Sequence, residues 1–117
     1  MRADDVLVRL KCPCCQEAKL DPRLVPLLVR LEEKTGKNLS ITSGFRCKKH
    51  NQDLINKGFP ASFTSRHMLG DAVDIFCMKK NQPDMIQAAR ELGFNGVGIG
   101  KNFLHFDLRE LPAEWWY

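Results

Sequence analysis

Three stretches of the chain are predicted to be helices, and two of them carry apolar residues at the spacing of an amphipathic helix. The first is predicted to begin at Asp21, an N-cap residue followed by proline, and to end at Gly36. A second helix is predicted over residues 48–56. A third is predicted to begin within residues 81–84 and to end at Gly93. The expected buried positions of the first and third helices are Leu24, Leu27, Leu28 and Leu31, and Met85, Ile86, Ala89 and Leu92.

Four shorter stretches have the alternation or the apolar content of β-strands, and they cover residues 39–43, 72–76, 96–100 and 103–108. In the last of them, alternation puts His105 and Asp107 on one face together with Phe103. The opposite face, which we expect to lie on the core, carries Leu104, Phe106 and Leu108. The order helix, strand, helix, strand, helix, strand, strand predicts an α+β fold with a small, largely antiparallel sheet flanked by helices.

Glycine occupies alternate positions of the third strand, 96, 98 and 100. These glycines follow a helix and lead into a strand, whereas a nucleotide-binding glycine loop follows a strand and opens a helix. The pattern therefore indicates a strand that other parts of the chain approach closely. A loop is predicted over residues 59–64, before His67.

Two histidines and an aspartate are the candidate metal ligands. His67 precedes the second predicted strand, Asp74 lies on that strand, and His105 lies on the last one. Imidazole and carboxylate are ligands that zinc accepts, and three protein ligands leave a fourth position for water, as in catalytic zinc sites. Any one of these residues alone would more often be a packed or solvated side chain, so the hypothesis depends on the three together.

The cysteines form a second group with chemical potential. Cys12, Cys14 and Cys15 are close in sequence, and Cys47 with His50 has the spacing of half a zinc site. A second, structural metal site is one interpretation; reduced, partly buried thiols or a cysteine pair are the others. If this group were the main site, the chain would be a small zinc domain that binds nucleic acid, but that leaves His67 and His105 unexplained.

The length and the charge of the chain limit the number of domains and the kinds of partner that we expect. With 117 residues the chain is expected to form one domain, residues 1–117, and to act as a monomer. The formal net charge is +4, but the basic residues are scattered, so we expect a solvated surface and no nucleic-acid partner. No apolar run is long enough for a membrane span, so we expect no membrane partner either.

The motifs at residues 43–46 (SGFR), 65–74 (SRHMLGDAVD), 96–100 (GVGIG) and 103–107 (FLHFD) resemble those of a known family. It is the family of zinc D-alanyl-D-alanine carboxypeptidases and peptidoglycan peptidases, which includes phage endolysins and shares its fold with the hedgehog signalling domain. The resemblance covers about residues 20–109, and its most specific part is S-x-H-x-x-G-x-A-x-D. It implies a hedgehog/DD-peptidase fold, with zinc held by His67, Asp74 and His105 and a substrate carboxylate or carbonyl bound by Arg46.

The sequence departs from the family where a catalytic base is expected. Many relatives carry a carboxylate three residues before the last histidine, and this chain has Asn102 there, which cannot act as a base. We therefore assign the base to Asp107, with a salt bridge to Arg109 or a supporting hydrogen bond to a ligand histidine as the alternatives. For Arg46 the alternative to substrate binding is a buried ion pair.

The function implied by this resemblance is zinc-dependent hydrolysis of an amide bond in peptidoglycan stem peptides, either a D-alanyl bond or the L-alanyl-D-glutamate bond. The alternative is a zinc-holding binding module of the same fold without turnover. Residues 1–5 lack the apolar core of a secretory signal, so we expect synthesis in the cytosol and action after lysis or within a phage particle. The aromatic tail, residues 111–117, is expected either to pack on the core or to form a binding rim.

Overall fold

The computed structural model describes residues 3–59, 61 and 65–117. The helices are α1 (Ala3–Arg9), α2 (Leu24–Thr35), α3 (Lys48–Asn56) and α4 (Gln82–Glu91). The strands are β1 (Ser40–Ser43), β2 (Ala72–Phe76), β3 (Gly96–Ile99), β4 (Phe103–Asp107) and β5 (Ala113–Trp116). Short 3₁₀ turns cover Arg66–Leu69 and Lys79–Asn81.

Within the described residues, the strands form one five-stranded sheet in the order β1-β2-β4-β3-β5. Neighbouring strands are antiparallel except β3 and β5, which run parallel. The α+β class and the largely antiparallel sheet predicted from the sequence are confirmed. Asp74 on β2 pairs with His105 on β4, and His105 pairs with Gly98 on β3. The register therefore brings Asp74 beside His105 without any long side chain having to reach across.

The core joins the helices α1, α2 and α4 to the sheet. As predicted, the alternate residues of β4 that face the core are buried, together with Leu108. Burial of these apolar side chains is the main favourable term in folding. The fully buried core side chains include Val6, Leu10, Leu24, Leu28, Leu31, Val73, Phe94, Val97, Leu104 and Phe106.

The predicted helix at Asp21 begins three residues later, at Leu24. The Asp21 carboxylate accepts a hydrogen bond from the backbone N–H of Arg23 at 2.9 Å and also binds the Arg23 guanidinium. This turn keeps residues 21–23 outside the helix. Leu27, Ile86 and Leu92, expected on buried faces, are only partly buried.

Two elements were not predicted from the sequence, α1 and β5. Of the predicted loop 59–64, residues 60 and 62–64 lie outside the described residues. Among the described helices, none is both long and apolar enough to span a bilayer.

Candidate metal centre

A tight turn fixes His67 just before β2. The hydroxyl of Ser65 accepts the backbone N–H of His67 at 3.2 Å, and the N–H of Gly70 donates to the carbonyl of His67 at 3.3 Å. Gly70 has φ = +75°, and a Cβ there would lie 1.9 Å from the carbonyl oxygen of Lys19. Only glycine fits this position, so the motif S-x-H-x-x-G is the local reason why His67 is held at the start of the strand.

The three predicted ligands converge. Asp74 Oδ1 lies 2.9 Å from Nδ1 of His105 and 3.2 Å from Nε2 of His67. One ligand atom from each residue can be chosen such that all three lie within 4.8 Å of one another. We call His67, Asp74 and His105 the histidine centre. Both histidines are buried, which excludes most solvent from one side of the group.

The hydrogen bonds of the histidine centre fit a bound cation. Nδ1 of His67 lies 2.7 Å from the carbonyl oxygen of Gly44, which can only accept, so this nitrogen carries a proton. In the neutral imidazole Nε2 is then unprotonated, and it faces the carboxylate of Asp74. Two acceptors facing each other are satisfied by a cation between them, and a set of two imidazoles and one carboxylate suits zinc.

The contact between Asp74 and His105 shifts their pKa values in opposite directions. Burial opposes ionisation of Asp74, but the neighbouring imidazoles of His105 and His67 outweigh it and hold its pKa well below the usual range. Burial lowers the pKa of His105, but its hydrogen bonds with Asp107 and Asp74 outweigh that effect and raise it. Asp74 therefore stays an anion, available as a ligand, across the physiological range.

Asp107 lies on the other side of His105 from Asp74. It is fully buried, and its Oδ2 lies 2.8 Å from Nε2 of His105. The guanidinium of Arg109 donates two hydrogen bonds to the same carboxylate, from Nε to Oδ1 at 2.8 Å and from Nη2 to Oδ2 at 2.7 Å. This geometry favours the supporting role, because a carboxylate bound to the far nitrogen of a ligand histidine fixes its ring orientation. The assignment of Asp107 as the base stays a prediction.

Arg46 contacts the centre from its edge. Its Nη2 lies 3.1 Å from Oδ2 of Asp74, and its Nε donates to the hydroxyl of Ser43 at 3.0 Å. Burial lowers the pKa of Arg46, although the nearby charge of Asp74 opposes this shift. The buried ion pair is therefore present, and it leaves room for the substrate role, because two of the five guanidinium N–H groups make these contacts.

A cleft of about 560 Å³ opens over the histidine centre. Its volume is in the range of small-ligand sites. Three arginines contribute to its wall, which makes it suitable for a substrate that carries a carboxylate. The residues that line it are Arg46, Ala61, Ser65, Arg66, His67, Asp74, His105, Arg109, Trp115 and Tyr117.

The sequence left open whether the aromatic tail, residues 111–117, forms a rim of the site, and two of its residues form a wall of this cleft. The Trp115 ring lies 5.4 Å from that of His105, and the Arg109 guanidinium lies 4.6 Å from the Trp115 ring centroid. Of the two roles left open for the tail, the rim role fits Trp115 and Tyr117, which line the cleft. The related signal in the sequence is the close approach predicted at the alternating glycines. Trp115 makes this approach at Gly98, where a Cβ would lie 2.7 Å from Nε1 of the indole.

The structure also brings cysteines together, away from the cleft. Sulfur atoms of Cys12, Cys15 and Cys47 lie within 4.8 Å of one another. Cys14 is exposed and interacts with Cys47, whose thiol raises the pKa of Cys14. We call these four residues the cysteine cluster. His50, included in the sequence hypothesis, contributes only its backbone N–H, which donates to the Cys47 sulfur.

Two buried imidazoles and a carboxylate below an open cleft, on a largely antiparallel α+β sheet, are the features of a metallohydrolase. The sequence model that defines the Peptidase M15 family matches residues 7–107 of the chain. The chain therefore belongs to this family. Its members are zinc-dependent metallopeptidases with the hedgehog/DD-peptidase fold. The resemblance identified from the sequence motifs is thus confirmed. No curated protein matches the chain.

Proposed function

We propose that this chain is a zinc peptidase that hydrolyses an amide bond in peptidoglycan stem peptides. The observation that carries the proposal is the convergence of His67, Asp74 and His105 at the floor of the arginine-lined cleft. The three residues would hold the ion, and the cleft would admit the peptide. When bound, zinc supplies Lewis-acid polarisation of the scissile carbonyl and activates water.

The arginines of the cleft support a substrate that carries a free carboxylate. Arg66 binds Asp71, and Arg109 binds Asp107, so their charges are partly balanced within the protein. Arg46 has further N–H donors beyond its contacts with Asp74 and Ser43. Stem peptides end in a D-alanine carboxylate and contain the free carboxylate of D-glutamate, and either group is a suitable partner for a guanidinium.

Trp115 and Tyr117 support recognition of a small apolar side chain. Their ring centroids are 6.4 Å apart, and the ring of Tyr117 also packs on Phe103 of β4 with a centroid distance of 4.9 Å. The sheet therefore supports the wall that the two rings form. A methyl group of alanine would gain contact area against such a wall. We propose hydrolysis at an alanyl bond for this reason, either D-alanyl-D-alanine or L-alanyl-D-glutamate.

The experiment is digestion of defined muropeptides by purified, zinc-loaded protein, followed by mass spectrometry. We expect loss of one alanine or separation of L-alanine from D-glutamate, inhibition by a chelator, and recovery on adding zinc. His67→Ala should abolish the cleavage, whereas His50→Ala, the same change outside the cleft, should leave it intact. Intact muropeptides after incubation with protein that contains zinc at the histidine centre would contradict the proposal.

A second candidate function is a zinc-holding binding module without turnover. It is favoured by the position of the carboxylates: among the described residues that line the cleft, Asp74 is the sole acid, and Asp107 is bound to His105 and Arg109. Asn102, at the position of the expected base, is exposed in the turn between β3 and β4. Retention of muropeptides by zinc-loaded protein, with no cleavage product, would identify this function.

A further inference from the structure

We propose that the cysteine cluster, Cys12, Cys14, Cys15 and Cys47, binds a second, structural zinc ion. The proposal rests on the geometry of the thiols and is independent of the peptidase activity. Sγ of Cys12 lies 3.7 Å from Sγ of Cys47, although the two residues are 35 positions apart in sequence. Four sulfurs placed tetrahedrally at the usual zinc–sulfur distance of about 2.3 Å are about 3.8 Å apart.

Residues 12–17 form a tight turn, which we call the knuckle, and this turn places its cysteines on one side. The N–H of Cys12 donates to the carbonyl of Glu17, and the N–H of Gln16 donates to the carbonyl of Cys12, both at 2.8 Å. Gln16 has φ = +60°, the left-handed conformation that closes the turn. The turn brings Cys15 back beside Cys12, as two ligands from one short segment must be.

Cys47 supplies the ligand from the other segment. It is the N-cap of α3, and its sulfur accepts the backbone N–H of His50 at 3.4 Å. The partial positive charge of a helix N-terminus is compatible with a metal-bound sulfur. Cys14 precedes Cys15 in the same turn and is exposed, and we assign it as the fourth sulfur. Four protein ligands close the coordination of the ion, which is the arrangement of a structural site.

The position of the cluster indicates what the ion stabilises. The knuckle follows Leu10, whose carbonyl accepts the N–H of Phe45 at 2.8 Å. A Cβ on Gly44 would lie 2.6 Å from Cα of Leu10, so these two backbones are in direct contact. The carbonyl of Gly44 in turn orients His67. An ion at the cluster would fasten the segment that carries Gly44 and Arg46 to the N-terminal part of the chain.

The test is the metal content of the full chain, purified with zinc under reducing conditions. We expect about two zinc ions per chain in the wild type and about one in His67→Ala/His105→Ala, which keeps the cysteine cluster. The same double variant loaded with Co²⁺ should show the near-ultraviolet absorption of thiolate–cobalt charge transfer. This second measurement identifies sulfur as the ligand without relying on any cysteine variant that fails to fold.

The cysteine variants complete the test. In the double-variant background, Cys47→Ser and Cys15→Ser should remove the thiolate–cobalt band, and Cys77→Ser, which changes a buried cysteine outside the cluster, should leave it unchanged. Absence of metal and of the cobalt band from the His67→Ala/His105→Ala protein would overturn the proposal. Recovery of a Cys12–Cys47 disulfide from reduced, zinc-supplied protein would overturn it equally.

Discussion

The histidine centre and the cysteine cluster are two groups of side chains that could hold a metal ion, and their surroundings differ. The histidine centre lies on the sheet at the floor of a cleft of about 560 Å³, with an acid and two imidazoles as donors. The cysteine cluster lies where the N-terminal knuckle meets the start of α3, with thiols as donors. One is open on the side of the substrate, and the other would be closed by its own chain.

The two groups also differ in what supports them. Asp107 forms a hydrogen bond with His105 and orients its ring, and Arg109 in turn forms a hydrogen bond with Asp107 and orients the carboxylate. The sulfur of Cys47 has a backbone N–H as its support. This difference supports the two proposed roles, a metal held in a fixed geometry for chemistry at the histidine centre and an ion that joins two segments at the cysteine cluster.

The largest effect that would separate the two groups is expected from Asp74→Asn. The substitution removes the charge of the carboxylate that both histidines share, at nearly constant volume. We expect loss of zinc from the histidine centre and a fall in peptidase rate of at least about 10³-fold, or about 4 kcal/mol of activation free energy. The cysteine cluster should keep its zinc, which metal analysis of the variant would show.

The control for this change is Asp84→Asn, which alters an exposed acid in the first turn of α4 and should affect neither metal nor rate. If Asp74→Asn released both ions together, the two groups would not be independent sites. Unchanged zinc content and rate would remove Asp74 from the ligand set.

Asp107→Asn would sharpen the comparison by testing the support of His105. Because the neutral amide orients the imidazole less strongly, we expect zinc affinity of the histidine centre to fall by about 10- to 100-fold. Excess zinc should then restore the rate. Competition with a chelator of known affinity measures the first effect, and muropeptide turnover at saturating zinc measures the second.

A catalytic base would behave differently at this position. Asp107→Asn would then retain zinc with normal affinity, and the rate would stay low at every zinc concentration. Asp21→Asn serves as the matched control, since Asp21 is also paired with an arginine but lies outside the cleft.

Arg46→Lys addresses the role of the ion pair at the edge of the cleft. Lysine keeps the charge but cannot reproduce the fork that contacts both Ser43 and Asp74. If Arg46 binds substrate, KM should rise about 10-fold, equivalent to about 1.4 kcal/mol, at unchanged zinc content. A loss of zinc affinity at constant KM would instead make the ion pair structural. Arg23→Lys, at an exposed arginine, is the control.

The smallest effect is expected from Trp115→Ala. The indole packs on His105 and under the Arg109 guanidinium but is not a ligand. Loss of contact with an alanine methyl group of the substrate, worth about 0.8 kcal/mol, corresponds to a fall in kcat/KM of about 4-fold with zinc retained. Trp116→Ala, which removes the exposed neighbour on the other face of β5, should leave kcat/KM unchanged. A zinc-free Trp115→Ala protein would contradict this assignment.

Local patterns were sufficient for much of the fold. Helical spacing of leucines predicted α2, and alternation along residues 103–108 predicted which side chains of β4 face the hydrophobic core. These periods depend on the geometry of one element and not on its neighbours. The turn at Ser65 to Gly70 is equally local, so the position of His67 before a strand followed from the motif.

The elements that sequence reasoning missed depend on distant partners. The seven residues of α1 are too few to form a stable helix alone, and Val6 becomes buried through packing on the rest of the core. Strand β5 exists by parallel pairing with β3, which places Ala113 opposite Gly96. Neither partner can be identified from the periodicity of the segment itself.

The sequence by itself determined the residue types of both groups, the face that His105 shares with Asp107, and the family to which the chain belongs. Tertiary structure decided that Asp107 lies behind His105 and that Trp115 covers the centre. It also decided that Cys47 meets Cys12. The physical reason is that side-chain direction along a strand or turn is set by local backbone geometry, whereas proximity between segments is set by strand pairing and core packing.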